Sequence, residues 1–430
     1  MRPRRAALAL LAVAVLGLGA GCSGAPRQPA HATSPRPPVS HSASPAPSPS
    51  ASQQPAQSPA AQAAESVQGP AATPTSAQLA DLANQAHEIA RLSPEQMAGQ
   101  RVIYSYRGLS PPPDLLSAIS HGEAGGVIFF GFNIASAAQL QGVIAQLKAA
   151  NASPDNPARN YPLLLMTDQE GGPVKRLPWA GPSQSEAQIG AAANAAAAAS
   201  AAGSQAAAGL RAVGINVDLA PVLDVYRQPG DFDDQYQRSY STNPGVAGAA
   251  GAAFVRALQA GGVAATVKHF PGLGAATAAQ NTDNGPVTIG LPAASIRAVD
   301  EAPYQPALQA GPQLAMVSWA SYPALDPRLP AGLSPAIIQG ELQGRLGFDG
   351  VTITDALGAG ALGAYGSLEN KTMLAARAGM DALLCTATMP LPAPLCVAGV
   401  AGGYADGALP PVAFKAQLAQ LLELRASLAG

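Results

Sequence analysis

From about residue 95 onward the chain alternates between short, continuously apolar runs and longer segments with helical spacing. The apolar runs are Arg101–Tyr106, Gly126–Phe130, Leu163–Thr167, Asn216–Val222, Val263–Val267, Leu314–Ser318, Val351–Thr354 and Ala382–Cys385. Between them lie amphipathic or Ala-rich helical segments: Ala135–Ala150, Ala187–Val213, Val246–Ala260, Ser295–Ala310, Pro335–Leu346 and Leu368–Ala378. Several of these close on a glycine (Gly214, Gly261, Gly311, Gly347, Gly379), as helix C-termini commonly do. Strands that are apolar throughout and separated by helices imply a parallel sheet covered on both faces. Eight such units predict a single (β/α)8 TIM barrel. A doubly wound open sheet is the alternative, but no Gly-x-Gly-x-x-Gly turn follows the first run.

The N-terminal region has a different character. Met1-Arg2-Pro3-Arg4-Arg5 precedes an apolar stretch from Ala6 to Ala20, the form of a secretory signal peptide. It ends Leu18-Gly19-Ala20-Gly21-Cys22, which resembles a bacterial lipoprotein cleavage box with Cys22 as the lipidated residue. From Ser23 to about Pro74 the chain is Ser, Pro, Ala and Gln, too poor in large apolar residues to offset the entropy of ordering. The expected organisation is a leader over 1–21, a disordered tether over 22–75 and a catalytic-type barrel over 76–430. Such a protein would be exported and held by its lipid at the outer face of the cell membrane, or else secreted. Cys385 and Cys396 then face an oxidising compartment, as a disulfide or as two buried thiols, with the compartment favouring the bond.

Composition narrows the chemistry. The chain has 430 residues, is 48% hydrophobic and 12% charged, and carries a net charge of −2. That balance argues against electrostatic nucleic-acid binding. The five histidines lack His-x-x-x-His spacing, and neither a phosphate loop nor a nucleophilic Ser elbow is present, so no metal or cofactor is expected.

In a parallel barrel, function is carried by the carboxyl ends of the strands. The third run ends Thr167-Asp168-Gln169-Glu170-Gly171-Gly172, the fourth Pro221-Val222-Leu223-Asp224, the fifth Val267-Lys268-His269-Phe270-Pro271-Gly272 and the seventh Thr354-Asp355. Any one such Asp could simply cap the next helix. Three Asp, a Lys and a His converging on one mouth instead suit sugar chemistry, with polar donors for hydroxyls and a carboxylate for an oxocarbenium-like carbon.

These segments, with Arg238-Ser239-Tyr240 and Tyr322-Pro323-Ala324-Leu325-Asp326, resemble glycoside hydrolase family 3 in collinear order from about Glu95 to Arg425. The likeness is to its single-domain β-N-acetylglucosaminidases of bacterial cell-wall recycling. It implies a retaining mechanism with Asp355 as nucleophile, kept ionised with help from Lys268. It also implies that Asp168, Arg238, Lys268 and His269 hold the terminal sugar, with Asp224 counted in the same set. Two departures stand out. The loop Gly274–Gly285 lacks the histidine those enzymes use as general acid/base, and Leu273 replaces a second family histidine. Asp283 is that loop's titratable side chain, either the acid/base or an Asx-type turn residue before Asn284-Gly285. The expected activity is exo-cleavage of β-linked N-acetylglucosamine from peptidoglycan fragments by a monomer. A β-glucosidase, a β-xylosidase or a sugar-binding lipoprotein with weakened catalysis are the alternatives.

Overall fold

Each apolar run contributes a strand to one sheet in the computed structural model, which describes residues 86–429. The leader, the tether and Cys22 lie outside the described residues. The strands are β1 (Val102–Tyr104), β2 (Gly126–Ile128), β3 (Leu164–Thr167), β6 (Val217–Asp218), β7 (Ala264–Phe270), β8 (Leu314–Val317), β9 (Val351–Thr354) and β10 (Leu383–Leu384). A hairpin of β4 (Gln169–Gly171) and β5 (Val174–Lys175), which the hydrophobic pattern does not foreshadow, branches off after β3. The order in the eight-stranded sheet is β10-β1-β2-β3-β6-β7-β8-β9, and every pairing in it is parallel. The two edges meet where Ile353 bridges Ala382 and the Thr354 amide donates to the Ala382 carbonyl at 3.1 Å. The result is a nearly closed, helix-wrapped barrel, consistent with the (β/α)8 expectation.

Two cores follow from the period-two alternation of side chains along each strand. Ile103, Ile128, Leu164, Met166, Leu219, Met316 and Ile353 point inward and fill the barrel. Their neighbours Val102, Val127, Leu165, Val267 and Val317 point outward against the helices. Burying each such side chain fully contributes about 1.5–3 kcal/mol. Outside, the helices Ala195–Val213 and Pro244–Ala260 approach so closely that a Cβ on Gly203 would lie 2.6 Å from the Phe254 carbonyl oxygen. That contact explains the run of Ala and Gly in both. At the amino-terminal end of the barrel the helix Pro411–Ser427 inserts Leu421 and Leu424 into the inner core. Arg425 beside them is buried, and its guanidinium donates to the carbonyls of Pro162 (2.6 Å) and Tyr161 (2.8 Å) and to the Gln100 side chain.

Two long helical segments are divided in the structure. Ala187–Val213 becomes Glu186–Gly190 and Ala195–Val213, because Asn194 starts a new helix by accepting from the Ala197 amide. Ser295–Ala310 is broken before Tyr304 by Pro303, whose ring removes a donor and clashes with the preceding turn. Cys385, just after β10, and Cys396, in the helix Ala393–Ala405, are joined by a disulfide with Cα atoms 6.4 Å apart.

Candidate active site

A cavity of about 490 Å³ opens at the carboxyl ends of the strands. Its floor is the last layer of the inner core, Leu219, Met316 and Leu384. Asp168, Arg238, Lys268, His269, Asp283 and Asp355 all line it. Six of the seven residues singled out from the sequence therefore share one cavity.

Lys268 and His269 are adjacent in β7, so a regular pleat would send them to opposite faces. The register of β7 against β8 shifts between Val267 and Phe270, and both side chains reach the mouth. Lys268 Nζ lies 3.0 Å from Asp168 Oδ1 and 2.7 Å from Glu170 Oε1. Arg238, delivered by the loop after β6, grips both oxygens of Glu170, from Nε at 2.8 Å and from Nη2 at 2.9 Å. Its Nη1 reaches Asp233 at 3.0 Å. Burial alone would raise the Asp168 and Glu170 carboxyls. The nearby charges of Lys268 and Arg238, joined for Asp168 by Arg176, reverse this and hold both below their ordinary values. The same carboxylates raise Lys268 and Arg238 against the opposing effect of burial. These four groups form a permanently charged wall with fixed donors and acceptors.

His269 is held differently. Its Nδ1 lies 2.6 Å from Asp224 Oδ2, and its Nε2 faces Arg238 Nη2 at 3.5 Å. Burial, with Arg238 beside it, pushes the imidazole down to about 4. The ring is thus neutral at pH 7, with Nδ1–H donated to Asp224 and the Nε2 lone pair directed at the Arg238 guanidinium. Asp224 itself does not line the cavity. It is fully buried beneath His269, where Oδ1 also accepts the amides of Leu273 (2.6 Å) and His269 (3.3 Å). Its part is to fix the imidazole, which corrects its expected place among the groups facing a sugar.

Asp355 follows β9 directly, and its Oδ1 accepts the Ala356 amide at 2.7 Å. The Ala356 carbonyl is in turn bound by the indole N–H of Trp319 at 2.9 Å, which steadies this turn. Burial raises the Asp355 carboxyl, and the Asp283 charge adds to that rise. Lys268 does favour the ionised form, as expected from the sequence, yet its influence is outweighed by desolvation.

Asp283 sits on the rim, exposed, in the loop after β7. Desolvation at the cavity edge raises its carboxyl, with Arg238 opposing and Asp168 adding. The Asx turn of this loop belongs to Asn281, whose side chain accepts the Asp283 amide at 2.8 Å. The loop is tied down on both sides. Phe232 N donates to the Ala276 carbonyl at 2.9 Å, while the Gly360 and Ala361 amides donate to Asp283 and Thr282 carbonyls at 2.8 and 2.9 Å.

Sequence reasoning passed over Glu170 and Asp233, the buried partners of the cations, and Asp218 and Glu186 behind them. Burial raises Asp218 to about 8 and Asp233 to about 7, and puts Glu186 well above its ordinary value. Glu170 was legible in the Asp-Gln-Glu-Gly-Gly cluster; the others gave no local signal. Among the described residues, Asp224, Asp233 and His269 place one potential metal-ligand atom each within 4.8 Å of one another. The Arg238 guanidinium on Asp233 already supplies a cation there.

Comparison with known proteins gives a consistent answer. Residues 97–424 match the glycosyl hydrolase family 3 N-terminal domain. The chain is 44% identical over 290 residues to an uncharacterized secreted glycosyl hydrolase of Arthroderma benhamiae, covering 67% of this chain and 81% of that protein. That description is in keeping with export of this chain. It is 34% identical over 272 residues to a beta-hexosaminidase of Stenotrophomonas maltophilia, covering 62% of this chain and 77% of the relative. Among solved structures, a family 3 beta-N-acetylglucosaminidase from Paenibacillus sp. superposes with a TM-score of 0.72 at 31% identity, over 79% of this chain and 64% of that one. A beta-N-acetylhexosaminidase from Beutenbergia cavernae superposes with a TM-score of 0.69 at 31% identity, over 78% and 99%. The chain belongs to glycosyl hydrolase family 3 and is a glycoside hydrolase acting on β-linked sugars.

Proposed function

We propose that this glycoside hydrolase is a retaining exo-β-N-acetylglucosaminidase that works on cell-wall fragments outside the cytoplasm. The observation that carries the reading is the convergence of Asp168, Arg238, Lys268, His269, Asp283 and Asp355 on one cavity with a closed, apolar floor. A cavity closed below admits the end of a sugar chain rather than its middle. The names of the beta-hexosaminidase relative and of the two structural neighbours support N-acetylglucosamine as the sugar.

In this reading the charged wall of Asp168, Lys268 and Arg238, with His269 beside it, binds the hydroxyls of the terminal sugar. The Asp355 carboxylate attacks the anomeric carbon as the glycosidic bond breaks, and Asp283 gives its proton to the leaving oxygen. Asp283, now ionised, then takes a proton from water as it attacks the glycosyl-enzyme, releasing the sugar with its β configuration retained and freeing Asp355. The raised carboxyl of Asp283 suits the acid step, because desolvation at the cavity edge favours the protonated form that has a proton to give. Lipidation at Cys22, the tether over 22–75 and a monomeric barrel complete the proposal. The protein would stand off the outer face of a membrane and meet its substrate there.

A panel of nitrophenyl β-glycosides tests the reading, with product configuration followed by NMR. The N-acetylglucosaminide should be cleaved fastest, with β product appearing first. Preference for the glucoside or xyloside would change the sugar, first appearance of α product would refute retention, and no cleavage of any would refute the N-acetylglucosaminidase reading.

A further inference from the structure

We infer that Asp233 is a positioning residue for the sugar site: it carries a proton and donates it to Asp224, so that one buried acid pair orients both His269 and Arg238. The inference rests on the reading of the cavity above and concerns the layer beneath it, where no group touches the sugar.

The charges around the cavity leave this pair without a counter-ion of its own. In the wall, Asp168 and Glu170 are matched by Lys268 and Arg238. Beneath it, Asp224 and Asp233 are fully buried, and one carboxyl oxygen of each lies within 4.8 Å of the other and of a His269 ring nitrogen. Glu170 takes two contacts from Arg238, which leaves Asp233 a single one from Nη1 at 3.0 Å. A protonated His269 is excluded as the neutralising group, because its Nε2–H would point at the Arg238 guanidinium 3.5 Å away. Two carboxylates this close in the interior cannot both stay ionised, and a shared proton is the remaining way to neutralise one.

Hydrogen bonding says which acid holds the proton. Asp224 is saturated as an acceptor, taking the Leu273 and His269 amides on Oδ1 and His269 Nδ1–H on Oδ2. Asp233 Oδ1 accepts from Arg238, whereas no N–H or hydroxyl reaches its Oδ2. The Asp224 and Asp233 side chains are in hydrogen-bond contact, and a proton on Asp233 gives that contact its donor. Burial and the Asp224 charge push Asp233 up to about 7, with Arg238 and His269 opposing and Glu170 adding. The remaining groups facing the pair supply no further cation. Burial pushes Tyr304 and Tyr322 well above their ordinary values and keeps them neutral, and Asp300 pairs with Arg227 at 2.5 Å.

The test compares Asp233→Asn and Asp233→Ala with the parent on the nitrophenyl glycoside that the parent cleaves fastest. Asn keeps an oxygen for Arg238 and an N–H for Asp224, so it imitates the protonated acid. At pH 6 Asp233→Ala should raise KM by roughly 10-fold or more, with kcat falling less, the scale of a lost buried hydrogen bond. Asp233→Asn should bring KM back to within about 2- to 3-fold of the parent. Above pH 7 the parent's KM should rise as the bridge loses its proton, while that of Asp233→Asn stays level. An Asn variant as weak as the Ala variant, or one with the parent's alkaline rise, would make Asp233 an ionised counter-ion of Arg238 and overturn the inference.

Melting temperatures decide the matter without turnover. With a folded value of about 7 against 3.8, the stability contributed by Asp233 is full below 3.8 and lost as pH climbs toward 7. Asp233→Asn should therefore flatten the fall in melting temperature between pH 4 and 7, and should melt no lower than the parent at pH 8. A lower melting point there would overturn the bridge. A parent inert on every glycoside would refute the proposed activity, and the melting comparison would still judge the bridge.

Discussion

Asp168 and Glu170 share a cavity wall with two cations, whereas Asp355 and Asp283 share the same cavity with none at bonding distance. The first pair is bonded to Lys268 and Arg238 at 2.7–3.0 Å and held ionised. The second pair accepts no salt bridge, and both of its carboxyls are raised by burial and by neighbouring acids. The difference teaches how one mouth can hold acids for two purposes. A group that must keep one charge throughout a cycle is given a permanent counter-ion. A group that must gain or lose a proton, or form a bond, is left uncompensated so that its state can change.

The sharpest way to break this comparison is to remove the uncompensated acids. Asp355→Ala should lower kcat by roughly 10⁴-fold or more on every substrate, as loss of a nucleophile does, and a 2-fluoro sugar should label Asp355 in the parent enzyme. Asp283→Ala should slow poor leaving groups by roughly 10²–10⁴-fold, spare acidic aryl leaving groups in the glycosylation step, and respond to azide. A uniform loss without azide rescue would leave Asp283 a structural residue.

The next test is stability. Glu170→Ala leaves Lys268 only Asp168 and Arg238 only Asp233 as carboxyl partners, and should destabilise the fold by about 1–3 kcal/mol in denaturant titration. Asp355→Asn removes a charge that burial disfavours, and should leave stability unchanged or raise it. If both variants lose stability alike, the two pairs are not distinct.

A further test is in pH dependence. A carboxyl held below its ordinary value, as Asp168 and Glu170 are, contributes stability that is lost as pH falls through its folded value. Asp218 has the opposite sign. Its pKa rises from 3.8 to about 8, mainly by burial, so its contribution is full below 3.8 and lost as pH climbs toward 8. Asp218→Asn should flatten the fall in stability between pH 4 and 8, read from melting temperatures across that range. An unchanged slope would assign the fall to the other buried acids.

Much of this was legible in the chain. The eight strands follow from continuous apolar runs, and Asp168, Lys268, His269 and Asp355 are visible because they end such runs. The breaks in two helices were missed because a pattern of apolar spacing does not weigh one Asn cap or one Pro ring. Glu170 stands in a visible acid cluster, but its pairing with Lys268 and Arg238 comes only from the fold, and Asp233 lies in a loop whose acids look alike until Arg238 turns back onto one of them. Asp224 was found at the right strand and facing the wrong layer. The backbone between Val222 and Asp224 bonds to Lys268 and leaves the regular alternation from which orientation was read.

Gly360 lies in the turn after Asp355, where its amide bonds to the Asp283 carbonyl and a Cβ would come within 2.5 Å of the Asn284 carbonyl carbon. The two acids proposed to react are therefore parts of one mechanical unit, joined through a residue with no chemistry of its own. In a random mutational screen Gly360 would be scored as a catalytic position. Selection acting on it would be policing the spacing of two carboxyl groups rather than the fold.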